Sequence, residues 1–260
     1  MNRILVPIDF TETAANALQY ASELSIHNRK FLTLFYCYPA QEHSRKYDFG
    51  EQNYEDRLQQ MLIDFYKKHV SEEKGKTRFL TRMGTIVNEI TLISARYSMI
   101  ILSGNNFEST LQRWISSRVA NIASLAKCPV LIIPKIANYD SWTNVWHFKR
   151  KDNEPSIVNQ WIEKEQFNPF SIKVKTLKQT SFTSIIWESF VKYIKAPKEE
   201  LRQAILDENS SERINLILLV SHFKDTFRKF LDDEVMQIIF QFGIPVLVFQ
   251  AGKHKTIKPQ

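Results

Sequence analysis

Apolar and polar residues alternate along the first 135 residues in blocks that predict strands and helices in regular succession. Short apolar runs bounded by Pro, Asp or Gly are typical of buried strands, whereas apolar residues three or four positions apart predict amphipathic helices. Strands are predicted at residues 4–8, 31–38 and 77–81, each followed by a helix. The segment 99–134 adds an apolar strand, a polar loop with one glycine, a helix, and a fifth strand closed by proline.

Strands that alternate with helices favour parallel pairing through right-handed crossovers. The predicted fold class is therefore α/β, with a doubly wound sheet and helices on both faces. Residues 1–138 form one such domain, and residues 135–141 contain the linker to the second half.

The second half, residues 139–260, is predicted to be a degenerate repeat of the first. Adding 116 to residues 102–133 without a gap aligns Pro129-Val130-Leu131 with Pro245-Val246-Leu247, which indicates an internal duplication. Further strands are predicted at 145–148, 172–177 and 191–195, and helices at 155–166 and 197–209. Lys173 and Lys175 alternate with apolar residues, as in a half-exposed strand, so this domain is predicted to be eroded.

Four motifs together resemble the universal stress protein family: ILVPIDF at the start, Gly84 before the third helix, MIIL before a glycine-containing loop, and CPVLIIP at the fifth strand. Through the repeat, the chain resembles a tandem member of that family. The resemblance implies two Rossmann-like domains, each with a five-stranded parallel sheet of order 3-2-1-4-5. It also implies that the fifth strands, 130–133 and 246–249, pair near a pseudo-two-fold axis.

In nucleotide-binding members of the family, an aspartate after strand one contacts adenosine, and a Gly-x2-Gly-x9-Gly-Ser loop wraps the phosphates. Asp9 matches the aspartate, and counting back from the fifth strand places the Gly-Ser pair on Ser116 and Ser117. The first two glycines fall on Ser103 and Asn106 if the loop is placed by strand four. Placed by the lone glycine instead, they fall on Gly104 and Phe107.

In either alignment one of the three glycines is present, and glycine is what lets backbone N–H groups approach phosphate closely. The hydroxyls of Ser116 and Ser117 and the positive end of their helix still favour an anion. The sequence therefore leaves two alternatives for the first domain: a weak or vestigial nucleotide site, or an ordinary capped turn. The same choice applies to Asp9, which could contact nucleotide or cap the turn. Cys37, at the end of strand two, either lines this cleft or is a buried inert thiol.

The second domain is predicted to bind no nucleotide. The offset places Asp232 and Asp233 at the positions of the two serines, where carboxylates repel a triphosphate while still capping a helix. No carboxylate directly follows the strand predicted at 145–148.

Composition, charge and the absence of known motifs argue against several classes of function. The chain has 260 residues, 43% hydrophobic and 24% charged, with two cysteines and no membrane-length apolar run, so a cytoplasmic globular protein is predicted. Its net charge of +7 is spread over both halves, whereas a nucleic-acid binder usually concentrates its basic residues, so nucleic acid is not an expected partner. The strand-sized apolar runs likewise predict no membrane partner. The six histidines lack metal-ligand spacing, no hydrolase or P-loop motif occurs, and no metal or catalytic residue is expected.

Taken together, the sequence predicts a cytoplasmic, non-catalytic stress-response protein with no cofactor, acting by protein interaction as an intrachain pseudo-dimer. A homodimer of whole chains is a further option. The alternative function is that of an ATP-binding protein that uses the first domain only, with slow hydrolysis or autophosphorylation. A third hypothesis is a small-anion site at Ser116 and Ser117.

Overall fold

The computed structural model describes residues 2–39, 51–70, 76–104, 117–140, 142–149, 154–165, 172–176, 213–221 and 239–250. All statements of structure below concern these residues. The strand predicted at 191–195 and the helix predicted at 197–209 lie outside them.

The described part of the first half contains five strands and four α-helices in alternation: β1 (Arg3–Pro7), α1 (Glu12–His27), β2 (Phe31–Tyr38), α2 (Glu51–His69), β3 (Thr77–Met83), α3 (Ile86–Ile93), β4 (Met99–Ser103), α4 (Ser117–Leu125) and β5 (Val130–Ile133). A short 3-10 helix, Ser94–Arg96, follows α3. Helix α1 begins as predicted at Thr11, whose side chain accepts a hydrogen bond from the Ala14 N–H. Strand β3 continues two residues beyond the predicted end at residue 81.

The described part of the second half contains β6 (Val145–Lys149), α5 (Glu154–Glu165), β7 (Ile172–Thr176), β8 (Leu216–Ser221) and β9 (Val246–Gln250). Residues 239–241 are also helical.

All nine strands join one sheet of order β3-β2-β1-β4-β5-β9-β8-β6-β7. The first five have the predicted order 3-2-1-4-5 and are parallel to one another. In the second half, β7, β6, β8 and β9 are also parallel neighbours, in the order that β2, β1, β4 and β5 have in the first. The predicted α/β class with a mostly parallel sheet is confirmed.

Strands β5 and β9 are antiparallel neighbours, and they join the two sets of parallel strands. Leu131 lies opposite Leu247, flanked by the pairs Val130–Val248 and Ile132–Val246. This is the pair of segments that the sequence predicts to meet.

The predicted constant offset of 116 between the halves is wrong at strand four. The Ile100 N–H donates to the Pro129 carbonyl at 3.0 Å, and the Ile217 N–H donates to the Pro245 carbonyl at 3.0 Å. Ile100 therefore corresponds to Ile217, an offset of 117, while Pro129 corresponds to Pro245. The second half is one residue shorter between strands four and five. Because these buried parallel strands are apolar at every position, a one-residue slip leaves their hydrophobic pattern unchanged.

Two apolar layers cover the two faces of the sheet, and both halves contribute to each layer. Helices α3 and α4 lie over the first layer, which includes Phe35, Ile90, Ile122, Trp146 and Ile217. Helices α1, α2 and α5 lie over the second layer, which includes Leu18, Leu62, Leu131, Trp161 and Leu247.

The linker that follows β5 is held against α1. The Asn16 side-chain amide donates to the Pro134 and Ala137 carbonyls at 3.0 and 3.2 Å. Further on, the Trp142 Nε1–H donates to the Tyr20 hydroxyl at 3.0 Å in a buried contact. These hydrogen bonds fix the path of the chain from β5 to β6.

Candidate functional site

The candidate site lies at the carboxyl edge of the first-half sheet, where β1 and β4 are neighbours. Strand order reverses at this point, because the chain leaves β1 toward β2 and later crosses over to β4. Doubly wound sheets bind ligands in the crevice outside such strand ends. Asp9 follows β1, while Ser103 and Gly104 lie at the end of β4.

Asp9 caps the turn into α1. Its Oδ1 accepts hydrogen bonds from the Thr11 N–H at 3.2 Å and from the Thr11 hydroxyl at 2.6 Å. The Thr11 Oγ1 in turn accepts the Ala14 N–H at 3.2 Å. Both Asp9 and Thr11 are exposed. The carboxylate thus has the structural role that the sequence offered as one alternative, and its pairing with Thr11 serves the helix cap.

Phe10, between these two residues, has a φ of 61°, in the left-handed region that a bulky residue rarely adopts. Its ring packs against Tyr36 of β2 and Phe65 of α2, with centroid distances of 5.0 and 5.4 Å. These aromatic contacts offset the backbone strain, which is of order 1–2 kcal/mol for a left-handed residue. The sequence prediction assigns no role to Phe10, although an aromatic residue directly after the aspartate of the strand end was a signal for one.

Gly104 does not present its N–H to the crevice. That N–H donates to the Ile133 carbonyl at 2.7 Å and so extends the β4–β5 pairing. A Cβ at this position would lie 3.2 Å from the same carbonyl oxygen, which is why a glycine fits here. A phosphate-binding glycine needs a backbone N–H aimed at the anion, and Gly104 does not meet that requirement.

Of the other residues that the sequence assigns to the phosphate loop, the structure describes two. Ser103 is half-buried, the last residue of β4, and lies opposite Ile133. Ser117 is the first residue of α4. Asn106 and Ser116 lie outside the described residues.

Cys37 is the second-last residue of β2, at the same carboxyl edge of the sheet. It packs on the sheet face that α3 covers, whereas strand alternation assigns Ser103 to the opposite face. Partial burial, with a smaller contribution from the nearby Glu89 carboxylate, raises the pKa of the Cys37 thiol to about 11. The thiol is therefore protonated at neutral pH, as expected of an unreactive cysteine.

Arg82 and Glu89 form a separate polar cluster beside Gly84, at the end of β3. Gly84 has a φ of 145°, and a Cβ there would lie 3.0 Å from the Glu89 Oε1. Glu89 pairs with Arg82 at 3.3 Å. Glycine therefore serves this position in two ways, by adopting the turn conformation and by allowing the close approach of a side chain.

Metal binding and membrane insertion find no support in the described ranges. No group of three or more His, Cys, Asp or Glu side chains in these ranges is arranged to hold a metal ion. Among the same residues, no helix is long and apolar enough to cross a membrane.

This geometry defines a doubly wound α/β protein whose strand order reverses between β1 and β4. The model of the universal stress protein family matches residues 1–134, which is more than half of the chain. The chain belongs to the universal stress protein family. No curated protein sequence matches it.

Two solved structures support the fold over nearly the whole length of the chain. A universal stress protein from Archaeoglobus fulgidus DSM 4304 is 13% identical with a TM-score of 0.61, covering 98% of each chain. A putative universal stress protein from Pseudomonas aeruginosa UCBPP-PA14 is 13% identical with a TM-score of 0.51, covering 96% of this chain and 93% of its own. A universal stress protein crystallised in complex with cAMP is 15% identical, covers 51% of this chain and 95% of its own, and has a TM-score of 0.38.

Proposed function

We propose that the chain is a tandem universal stress protein whose halves, residues 1–138 and 139–260, pair within one chain as a pseudo-dimer. It acts in the stress response of the cytoplasm without catalysis, through interactions with other proteins. The antiparallel pairing of β5 with β9 around Leu131 and Leu247 is the observation that carries this proposal.

Matched contacts on the two sides of this pairing support a duplicated origin. The Ile100–Pro129 and Ile217–Pro245 hydrogen bonds have the same length and occupy the same place in each half. The described strands of the second half also repeat the neighbour order of their first-half counterparts. A pseudo-dimer within one chain uses internally the strand that a single-domain protein would leave at the sheet edge.

The absence of catalysis and of a cofactor is supported by the roles of the candidate residues. Asp9 is used by the Thr11 cap, the Gly104 N–H is used by the sheet, and the Cys37 thiol is protonated at neutral pH. The residues that the structure describes at this crevice do not fit a nucleotide phosphate group.

In the second half, the corrected register moves the equivalent positions. Leu5 lies opposite Ile100 and Trp146 lies opposite Ile217, so Leu5 of β1 corresponds to Trp146 of β6. In the sequence, the residue at the same offset of 141 from Asp9 is an arginine, Arg150. An offset of either 116 or 117 puts two acidic residues opposite Ser116 and Ser117, from the run Asp232, Asp233 and Glu234. The proposal that this half binds no nucleotide does not depend on where the missing residue falls.

The second candidate function is ATP binding by the first domain only, with slow hydrolysis or autophosphorylation. The exposed Asp9 carboxylate at the topological switch point favours it. Calorimetric titration with ATP and Mg²⁺ to millimolar concentration, together with extraction of small molecules from natively purified protein, separates the two functions. We expect neither heat nor released adenine nucleotide.

A micromolar affinity that Asp9→Ala abolishes would replace the non-catalytic proposal with this second one. Asp9→Asn is the matched control, because an amide oxygen still accepts the Thr11 hydrogen bonds and preserves the turn.

Hydrogen exchange tests the pairing itself. Leu247→Ala in β9 should speed amide exchange in β5, because an opened β9 leaves one edge of β5 without its partner. Unchanged exchange in β5 would contradict the pseudo-dimer.

A further inference from the structure

Basic residues that are scattered along the sequence come together at one edge of the first-half sheet. The amino ends of parallel strands and the carboxyl ends of the helices between them meet at the same edge. Six exposed cations lie at these ends, beside the starts of β1 to β5, and we call them the basic edge: Arg3, Arg29, Lys76, Arg78, Arg96 and Lys127. Lys67 and Lys68 extend this edge at the end of α2.

The basic edge is not neutralised by described carboxylates. The described ion pair, Arg82–Glu89, lies at the opposite, carboxyl edge of the sheet, and none of the six cations pairs with a carboxylate in the described ranges. The last described acids of α1 and α2, Glu23 and Asp64, lie four and five residues before the ends of these helices at His27 and His69. Desolvation raises the pKa of the Glu23 carboxyl above its usual value.

Helix dipoles alone do not explain the concentration of charge. Cations at helix carboxyl ends are favoured in general, and that effect should act equally on both halves. The described charges at the corresponding edge of the second half are balanced: Asp140 and Glu163 against Lys164 and Arg213. Among the residues that the structure describes, the excess of cations is therefore confined to the edge of the first half.

Backbone hydrogen bonds hold the basic edge in a fixed arrangement. The Leu32 N–H donates to the Lys76 carbonyl at 3.2 Å, and the Ser98 N–H donates to the Arg3 carbonyl at 2.8 Å. Neighbouring strands are about 4.8 Å apart, so the five strand starts from β3 to β5 span roughly 19 Å. A rigid row of cations with this spacing suits a polymer that carries a negative charge on every repeat.

An exposed aromatic ring lies in the same row. Phe31, the first residue of β2, is 36% exposed, and the Lys76 Nζ lies 5.8 Å from its ring centroid. Proteins that bind single-stranded nucleic acid without sequence preference combine a basic track with an aromatic ring on which a base stacks.

We propose that the basic edge binds single-stranded nucleic acid through its phosphates, with Phe31 as a stacking platform. The ring beside a lysine favours nucleic acid over an acidic protein segment, which offers no base to stack. The expectation of no nucleic-acid partner rests on basic residues being spread along the sequence. In the folded chain, however, six of these residues lie along one edge of the sheet.

Fluorescence anisotropy of the full chain with a labelled 20-nucleotide poly-dT strand, between 20 and 200 mM salt, tests the proposal. We expect binding that weakens with salt, with a log–log slope of about −4 if all six cations engage phosphates. The variant Lys76→Gln/Arg96→Gln/Lys127→Gln should halve that slope to about −2. Phe31→Leu should lower affinity about tenfold with little change in slope.

The matched control is Arg57→Gln/Arg118→Gln/Lys164→Gln, which removes the same charge from exposed positions elsewhere. Circular dichroism confirms that each variant is folded. The proposal is overturned if the wild type binds no oligonucleotide at 20 mM salt, or if the control weakens binding as much as the edge variant. It is also overturned if polyglutamate of equal charge competes as well as unlabelled poly-dT, or if anionic vesicles bind in its place. Because the test uses no ATP and does not depend on β5–β9 pairing, its outcome is independent of the proposed function.

Discussion

Leu131 of β5 lies directly opposite Leu247 of β9, at the centre of the antiparallel pairing that joins the two halves. Both side chains are fully buried in the same apolar layer. Directly opposed residues are the units by which neighbouring strands stabilise each other. The coupling energy between substitutions at these two leucines therefore reports how strongly the stability of one half depends on the other.

Leu131→Ala and Leu247→Ala should each lower the free energy of unfolding by about 2–5 kcal/mol, because each leaves a cavity in a closed layer. Urea unfolding of both single variants and of the double variant gives their coupling energy, expected at about 0.5–3 kcal/mol for residues in contact. Leu92→Ala is the control: this leucine is 68% exposed, and its loss should change stability by less than about 0.5 kcal/mol. Strictly additive losses at Leu131 and Leu247 would argue against direct contact.

Trp161 of α5 connects the second half to the first through a hydrogen bond. Its Nε1–H donates to the Ser98 carbonyl, just before β4, at 3.1 Å in a buried contact. Trp161→Phe keeps most of the apolar area but leaves that carbonyl without this donor, which should cost about 1–3 kcal/mol in thermal or urea unfolding. Trp142→Phe is a matched comparison, because it removes a buried indole hydrogen bond to the Tyr20 hydroxyl. A Trp161 variant as stable as the wild type would show that this contact does not hold the halves together.

Gly84 and Gly104 should respond differently to alanine. Alanine at Gly84 must adopt a φ of 145° and place its Cβ 3.0 Å from Glu89, so a loss of about 1–3 kcal/mol is expected. In Gly104→Ala the closest atom to the new Cβ is the Ile133 carbonyl oxygen, at 3.2 Å. Reduced freedom of the unfolded chain offsets part of the cost, leaving a loss below about 1 kcal/mol. Denaturation midpoints of the two variants test this ranking, and equal losses would refute it.

Alkaline pH should destabilise the fold. Burial raises the pKa of Cys37 from 9.0 to about 11 and that of Tyr38 from 10.0 to about 12, so the fold favours their neutral forms. Their contribution is fully present below pH 9 and is lost as pH rises through 11 and 12. Urea midpoints should be constant from about pH 7 to 8.5 and fall above about pH 9. In Cys37→Ala the urea midpoint should decline less steeply between about pH 9 and 10, where Tyr38 has yet to titrate. A decline identical to that of the wild type would show that Cys37 does not contribute to the pH dependence.

Much of the first-half fold follows from the sequence. The strands predicted at 31–38 and 130–133 match β2 and β5, because each is a continuous apolar run stopped by proline. The predicted β3 ends two residues early, because Arg82 and Met83 carry no hydrophobic alternation that distinguishes a strand end from a turn. The order of the strands follows from right-handed crossovers and the family resemblance.

The candidate site is harder to predict, because its residues are defined by backbone geometry. Nothing in the sequence indicates that the Gly104 N–H is taken by Ile133, or that Phe10 has a left-handed conformation. The one-residue register shift between the halves is also invisible in the sequence, since an all-apolar run such as LILLV has no period to fix its phase. The scattered cations can be seen to share one edge only when the strand order is known.

The most direct test of the pairing between halves is a methyl–methyl nuclear Overhauser effect between Leu131 and Leu247 in leucine-labelled full-length protein. Opposed side chains in neighbouring strands have Cβ atoms about 4.5–5.5 Å apart, close enough for a strong cross-peak. Leu131→Ile and Leu247→Ile assign the two resonances. A cross-peak between them is the expected result; two assigned methyl signals with no cross-peak would contradict the intrachain pseudo-dimer.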